Sequence, residues 1–548
     1  MERPDCLIVA YWAPNRNRER NQFFSEESQK EGGWERFLRL NNIEFEGDIL
    51  QSTQLASLAY LQNKRGLRKT KEGLFAESDL SFYSSWKIPL LGGLFLYQYL
   101  KQASYNVELI SHAQFEKEAL EKCLRDRPKV IAISTTLIPN PFDIQEVIKY
   151  CRSVSKDSFI LLGGITVWNH YLIDRDNLRL LACLGADAVV LDPYGLETLK
   201  AVMEKIRNGS YPDDVPNLLL CKGIGKYTMT PEKREVFDFS SNKMKWDLIE
   251  ESRVNRITFM RTMISCPFSC SFCSYPVTQG PVIHADLDIV DQELKTLAKR
   301  GIKFLLFVDD TFNVPLKRFE GLLSLLRKYE FKWYAFIRCQ FLKKSLVEKM
   351  KECGCSGAYL GLESVDNSIL KLMNKHATVD QWRKGIELLA NNDITTYASF
   401  IVGFPGENDD TAMKLGDFID SNGLDFYNLK IFYYDHSTPI HKRAAKFGLT
   451  GSGMTWKHNT MTSVEAFTWI EKIITDVNSA AYVPLNSGEI WEIAHFEEQG
   501  YSKNRIAEIY KIFTHMLKDQ LLNSNHRLVN QKKLFETLVK TVVHKSDI

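Results

Sequence analysis

Short apolar runs alternate with amphipathic stretches along most of the chain. In its first part, "CLIVAYW" (Cys6–Trp12), "NVELISHA", "KVIAISTTLI" (Lys129–Ile138), "FILLGGIT" (Phe159–Thr166) and "DAVVLD" (Asp187–Asp192) are rich in valine, isoleucine and leucine. They lack strict alternation, which predicts strands buried on both faces. Between them "QFEKEALEKCLRD", "DIQEVIKYCRSV" and "GLETLKAVMEKIRNG" have helical periodicity. Strand–helix alternation of this kind predicts an α/β architecture with a doubly wound (Rossmann-like) parallel sheet over residues 1–220. Residues 13–85 interrupt the rhythm. They are polar and irregular and too long for an ordinary loop, so they predict a functional insertion or lid.

A connector follows over residues 205–250, with 221–250 as the linker proper. A second alternation then begins with the strand "RITFMRT" (Arg256–Thr262), the helix "VDQELKTLAKRG" and the strand "FLLFVDD" (Phe304–Asp310). "WYAFIRCQF", "GAYLGLES", "TYASFIVGFPG" and "FYNLKIFYYD" continue the strands, each separated from the next by an amphipathic helix. Six such turns predict a partial (β/α)6 barrel over residues 251–450, with its active site at the C-terminal ends of the strands. Residues 451–548 read as a mostly helical C-terminal region, with a lysine-rich mobile tail in the last twenty residues.

Composition narrows the possibilities. The 548 residues allow about two to four domains, and a net charge of +2 gives no reason to propose a nucleic-acid partner. The run "RNRER" (Arg16–Arg20) reads as a solvated loop. The N-terminus lacks the pattern of a signal peptide. The longest apolar stretch, "IPLLGGLFLYQYL", is too short to span a bilayer, so no membrane partner is expected. A cytoplasmic location follows, where thiols stay reduced. Eleven scattered cysteines do not form a disulfide scaffold.

Three of them are crowded together in "TMISCPFSCSFCSYPV". Cys266, Cys270 and Cys273 have the spacing C-x3-C-x2-C on the loop after the first predicted barrel strand. Three thiolates can ligate three irons of a cubane cluster and leave the fourth iron open. A structural zinc site wants four closed ligands, and Cys339, Cys353 and Cys355 lie in other predicted elements. Zinc and plain packing remain as weaker readings.

"CPFSCSFC" resembles the radical S-adenosylmethionine (radical SAM) signature, with Phe272 before the last cysteine. "FLLFVDDTFNV", "GAYLGLESVDNSILKLMNKHATVDQWRKGIELL" and "ASFIVGFPGEN" are similar to that superfamily's barrel segments. The resemblance implies a [4Fe-4S] cluster held by the three cysteines and walled by Phe272. It implies SAM on the open iron, in a pocket lined by Asp309, Asp310, Arg338, Glu363, Ser364 and Gly403. Arg338 suits a carboxylate because its guanidinium forks bidentately. Where many relatives have an acid two residues past that arginine, this chain has Gln340.

The first sheet resembles the cobalamin-binding domain of one branch of that superfamily, through "ISTTLI", "LLGGITVW" and "LGADAVVLDPYGLETLKAV". The resemblance implies hydrogen bonds from Ser134, Thr135 and Thr136, close backbone approach at Gly163 and Gly164, and contacts at Gly195 and Glu197. The D-x-H-x-x-G loop is missing, and His112 stands in a different context, so bound cobalamin would lack a histidine ligand.

What the resemblance implies about activity is methyl transfer from SAM, via methylcobalamin, to an unactivated carbon or phosphorus. The substrate would be a natural product or peptide, and a flavodoxin- or ferredoxin-type donor would supply the electron. The segment after the sixth strand is similar to relatives from natural-product pathways, which puts forward Tyr434 and His436 as catalytic candidates. Tyr433, His441, Trp456 and His458 lie in the same segment. Cys339, beside Arg338, is a candidate hydrogen donor, which would make an epimerase. The alternatives are therefore a radical SAM epimerase or ring-rearranging enzyme, or a non-catalytic cobalamin- or SAM-binding regulator.

Overall fold

The structure is a computed structural model. It describes residues 3–13, 33–65, 82–484, 490–523 and 530–543. The basic run Arg16–Arg20 and two parts of the expected insertion lie outside the described residues. The chain divides into two compact units. One holds residues 1–22, 89–255 and 277–297; the other holds 23–88, 256–276 and 298–548.

The first unit is built on a seven-stranded sheet. Strands β1 (Cys6–Val9), β2 (Val107–Ile110), β3 (Val130–Ser134), β4 (Phe159–Gly163) and β5 (Ala188–Val190) are parallel, in the order 2-1-3-4-5. All four residues of β1 are buried, because β1 is flanked by a strand on each side and is covered on both faces. Leu7, Val9, Ile131, Ile133, Ile160 and Leu162 share one core with the helices Pro141–Val154 and Ile165–Ile173. The helix Leu91–Gln102 packs against β1 and β2 outside that core. A Cβ on Gly93 would stand 2.7 Å from Ala10 Cβ, so only glycine lets the helix sit this close. The strand order reverses between β1 and β3. That reversal is the switch point where open α/β sheets bind ligands, beyond the strands' C-terminal ends.

The connector read from the sequence contributes two further strands, β6 (Leu218–Cys221) and β7 (Tyr227–Met229), which extend the sheet antiparallel. The short run "LLLC" becomes a strand because Leu218–Leu220 bury against β5.

The second unit contains the partial barrel. Strands β8 (Ile257–Met260), β9 (Phe304–Phe307), β10 (Lys332–Phe336), β11 (Cys355–Glu363), β12 (Thr395–Val402) and β13 (Phe426–Ile431) are parallel and follow chain order. All eight residues of β12 are buried, as its central place requires. A seventh short strand, β14 (Ala481–Tyr482), pairs with β13. Two residues are too few to show a period, so no sequence pattern announces it.

Two expectations are corrected here. The described part of the expected insertion does not hang from the first sheet. A helix at Gly33–Asn41, a hairpin (Ile43–Phe45 with Asp48–Leu50) and a helix at Ser52–Arg65 belong to the second unit. Their buried Phe37, Leu40, Leu55 and Ala59 need a partner surface. The C-terminal helices Ser463–Asp476, Lys503–Leu522 and Gln531–Val542 supply it. The lysine-rich tail is likewise a helix over Gln531–Val542, with Phe535, Leu538 and Val542 buried. The Arg505 guanidinium holds that helix's last carbonyls, at 2.8 Å from Lys540 O and 2.9 Å from Val543 O. Among the described residues no helix is long and apolar enough to cross a membrane.

Candidate active site at the strand ends

The cysteine loop leaves β8 and is fastened at both ends. On one side Asp309, at the end of β9, accepts from Thr262 N (2.7 Å) and Met263 N (3.0 Å). Thr262 Oγ1 also donates to this carboxylate. Burial pushes the Asp309 carboxyl up, and the Thr262 and Met263 bonds oppose that. On the other side Ser271 donates to Met373 O (2.9 Å) and Leu372 O (2.7 Å), and its own carbonyl accepts from Ile440 N (2.8 Å). Asn374 Nδ2 donates to Ser269 O at 2.9 Å. Asp309, expected to line a SAM pocket, has these oxygens committed to the loop.

All eleven cysteines are free thiols. Among the described residues no group of three or more His, Cys, Asp or Glu could hold a single metal ion. A cubane takes one thiolate per iron and needs no convergence of three sulfurs on one ion. The donor set on this loop therefore fits such a cluster. Burial, reinforced by Cys270, Asp310 and Cys266, pushes the Cys273 thiol up to about 11.

Arg338 follows β10 and is buried. Its Nη2 lies 3.5 Å from Cys270 Sγ, its Nη1 donates to Lys375 O at 3.2 Å, and its guanidinium sits 3.8 Å from the Phe268 ring centroid. Asn313 brackets the Arg338 backbone with bonds of 2.8 and 3.0 Å. The arginine thus braces the cysteine loop, a contact that spacing alone did not reveal. The Gln340 amide nitrogen and oxygen are both buried with no hydrogen-bond partner among the described residues. Buried amides are almost always bonded, so this pair fits a polar ligand such as SAM.

Asp310 is exposed. Its surroundings are still dense enough to push its carboxyl up to about 6, mainly by burial, with Asp309 adding and Arg261 opposing. Tyr275 hydrogen-bonds to Asp310. Arg261 and Tyr275 escaped the sequence reading, although both flank the cysteine run.

Glu363 ends β11 with φ +68°, a left-handed conformation. Its Oε1 accepts from Lys375 Nζ at 3.1 Å, and both side chains are almost fully buried. A Cβ on Gly361 would stand 2.6 Å from Glu363 Oε1, so the glycine of "GLES" makes room for this carboxylate. Lys375 also lies 5.7 Å over the Phe272 ring. Ser364 is buried; its hydroxyl accepts from Asp366 N at 3.2 Å, closing a local turn.

Gly403, with φ +88°, has no room for a side chain: a Cβ would stand 2.3 Å from the Trp456 ring. Its N–H donates to Glu407 and its carbonyl accepts from His458 Nε2 at 3.2 Å. Burial pushes the Glu407 carboxyl from 4.5 up to about 7, against bonds from Gly403 and Phe404. The native state holds this proton when the unfolded chain has released it. Stability from this group is therefore full below pH 4.5 and falls as pH rises to about 7. The loss amounts to about 3 kcal/mol. Glu407→Gln keeps an acceptor for Gly403, so it is expected to flatten that slope and raise stability at pH 8. Urea midpoints from pH 5 to pH 8 will measure it; an unchanged slope would assign the titration elsewhere.

After β13, Tyr434 Oη bonds His441 Nδ1 at 2.7 Å. The His436 ring lies 4.6 Å from the His441 ring and 4.8 Å from Tyr434. The structure thus gathers Tyr434, His436 and His441 beside Ile440, which holds the cysteine loop. Tyr433 is exposed. Cys339 does not join this group. Its thiol packs toward Gly385 and donates to Trp382 O at 3.6 Å, and burial pushes it up to about 12.

In the first unit, Thr135 is turned inward: its N–H and hydroxyl donate to Gly163 O at 2.7 and 3.0 Å. Ser134 Oγ lies 3.4 Å from Thr136 Oγ1 at the end of β3. Gly164, with φ +114°, would place a Cβ 2.8 Å from Thr136 Oγ1 and 2.9 Å from Thr136 N. A Cβ on Gly163 would make ordinary contact with Val190, at 3.8 Å, so the strand end tolerates a small side chain there. Small residues and hydroxyls at the switch point fit a flat macrocycle there. Gly195 (φ +60°) packs on Val190, and Glu197 accepts from Tyr99 Oη at 2.9 Å, so both are committed to helix entry and packing. His112 is buried, stacked 3.8 Å from the Phe115 ring.

Residues 260–419, which hold the cysteine loop and most of the partial barrel, match the radical SAM superfamily. The chain is 27% identical over 290 residues to an uncharacterized methyltransferase of Pyrococcus horikoshii, covering 51% of this chain and 61% of the relative. It is 30% identical over 283 residues to the bacteriochlorophyllide d C-12(1)-methyltransferase of Chlorobaculum tepidum, covering 50% and 57%. The chain thus spans about three fifths of the length of these curated relatives. Among solved structures it shares its fold with the radical SAM methyltransferase TsrM of Kitasatospora setae, solved with cobalamin and a [4Fe-4S] cluster bound. The TM-score is 0.56 at 15% identity, over 77% of this chain and 97% of that one. Another structure of TsrM contains tryptophan substrate and a SAM analog.

Proposed function

We propose that the protein is a cobalamin-dependent radical SAM methyltransferase. Its substrate is a small molecule or peptide of natural-product type, methylated at an unactivated carbon or phosphorus. The observation that carries this reading is the combination, in one chain, of a braced loop of three free thiols with a 2-1-3-4-5 sheet whose switch point carries small residues and hydroxyls. The methyltransferase relatives and the TsrM fold support it. When bound, the cluster would supply one-electron reductive cleavage of SAM and the cobalamin would supply methyl-group transfer.

The chain's own residues hold and orient these groups. Cys266, Cys270 and Cys273 ligate three irons, and Arg338 donates toward the Cys270 sulfur. Asp310 and Gln340 face SAM's polar groups. Ser134 and Thr136, at the end of β3, meet the corrin edge. Tyr434 and His436 orient the acceptor. A cytoplasmic setting keeps the thiols reduced, and a flavodoxin- or ferredoxin-type protein supplies the electron. The epimerase reading loses its hydrogen donor, because the Cys339 thiol is packed against the helix Val379–Ala390.

The test uses anaerobically reconstituted protein soaked with hydroxocobalamin and desalted. A stoichiometric corrin spectrum is expected. Gly164→Val, which forces a branched side chain onto Thr136, is expected to lose it while keeping its iron. With SAM and substrate, S-adenosylhomocysteine and 5′-deoxyadenosine should both form. Deoxyadenosine alone, with deuterium entering from solvent, would defeat methyl transfer.

A further inference from the structure

Charge is almost balanced over the whole chain, but three segments that meet at the cysteine loop carry no acid of their own. They are joined by the Ser271 and Asn374 bonds and by Arg443 Nη1, 3.4 Å from Leu372 O. From Thr262 to Ala285 the loop itself carries no Asp or Glu. Neither does the segment between Asp366 and Asp380, nor the longer one between Asp435 and Glu465. Exposed Lys371 and His376 lie on the second, and exposed Lys442 and Lys446 on the third. None of the three lysines forms an ion pair among the described residues. Pro267 and Ser269, next to Cys266 and Cys270, are themselves exposed, so the loop's outer side reaches the surface.

We infer that this basic rim is the docking surface for a small acidic electron-carrier protein. The inference rests on the reading of the cysteine loop as a cluster site. Like-charge surfaces would exclude a basic carrier, whereas an acidic one is drawn to the rim and steered onto it. Docking there brings the carrier's redox centre to the exposed face of the loop that holds the irons. One electron then passes from a flavin hydroquinone anion, which becomes the neutral semiquinone, to the cluster, which falls from the 2+ to the 1+ state; no proton or bond changes hands. The lysines take no part in ligation or chemistry, so their role is separable from the site's.

The test is stopped-flow reduction of the reconstituted full-length protein by a fully reduced flavodoxin, at low and high salt. The triple variant Lys371→Glu, Lys442→Glu, Lys446→Glu is expected to be reduced at least about tenfold more slowly at low salt. Its iron content and its extent of reduction by excess dithionite, read by electron paramagnetic resonance, should match the parent. Added salt should slow the parent and leave the variant little changed. A control with Lys200→Glu and Lys222→Glu should reduce like the parent. Equal flavodoxin rates in parent and triple variant would overturn the docking surface while leaving the cluster reading intact. A parent that takes up no iron would overturn the cluster reading itself, and the docking surface with it.

Discussion

A Cys266→Ala variant, reconstituted anaerobically, is expected to hold less than about one iron per chain against about four in the parent. It should form no 5′-deoxyadenosine from SAM. The loop does not depend on this thiol for its shape. Asp309 anchors Thr262 and Met263, and residues 372–374 and Ile440 anchor Ser269 and Ser271. Cys266 is only half-buried, and its one described hydrogen-bonding neighbour is Thr311 Oγ1 at 4.0 Å. Alanine therefore removes an iron ligand without opening a core cavity. The unfolding free energy of the apoprotein, from urea titration, should stay within about 0.5 kcal/mol of the parent. Cys353→Ala, at a helix end away from this loop, should keep its iron. Near-normal iron in the Cys266 variant would defeat the reading of the site.

The second large effect is on stability. Lys375→Met is expected to destabilise the protein by about 3–5 kcal/mol. Lys375 and Glu363 are 3.1 Å apart, and their side chains are only 6% and 13% exposed. Methionine fills much of the lysine volume but leaves the Glu363 carboxylate desolvated without its cation. Removing one partner of such a pair is far more damaging than removing both. The double variant Lys375→Met, Glu363→Gln should recover most of the loss, because a neutral amide tolerates burial better than a charge. Urea titration of the parent and the three variants closes the cycle. A Lys375→Met cost below about 1 kcal/mol would mean that the pair behaves as a solvated surface ion pair.

These two residues also show where the sequence stops informing. "GLES" drew attention to Glu363, yet its partner Lys375 lies twelve residues on, beyond a helix, and nothing local announces the pairing. Asp309 and Asp310 are adjacent and look alike in the chain. Only the fold separates them, turning one carboxylate back onto the cysteine loop and leaving the other exposed toward Arg261 and Tyr275. Arg338 and Cys339 divide in the same way: the guanidinium reaches Cys270 and the thiol packs toward Gly385. Gly403 reads as a pocket residue in the sequence, but its φ of +88° and the Trp456 ring beside it make it a packing position.

What the sequence determined by itself was whatever depends on neighbours within a few residues. The apolar runs specified five strands of the first sheet and six of the barrel, because burial on both faces writes itself into consecutive residues. The cysteine spacing placed three thiols on one loop for the same reason. The tertiary structure decided the rest: the 2-1-3-4-5 order with its antiparallel β6 and β7, the short strand β14, and the enrolment of residues 33–65 into the C-terminal helical layer. It also decided which charged groups are paired and which remain open to a ligand. Each of these depends on surfaces contributed from far along the chain. A hydrogen bond or an ion pair needs both partners in place, and only packing brings them together.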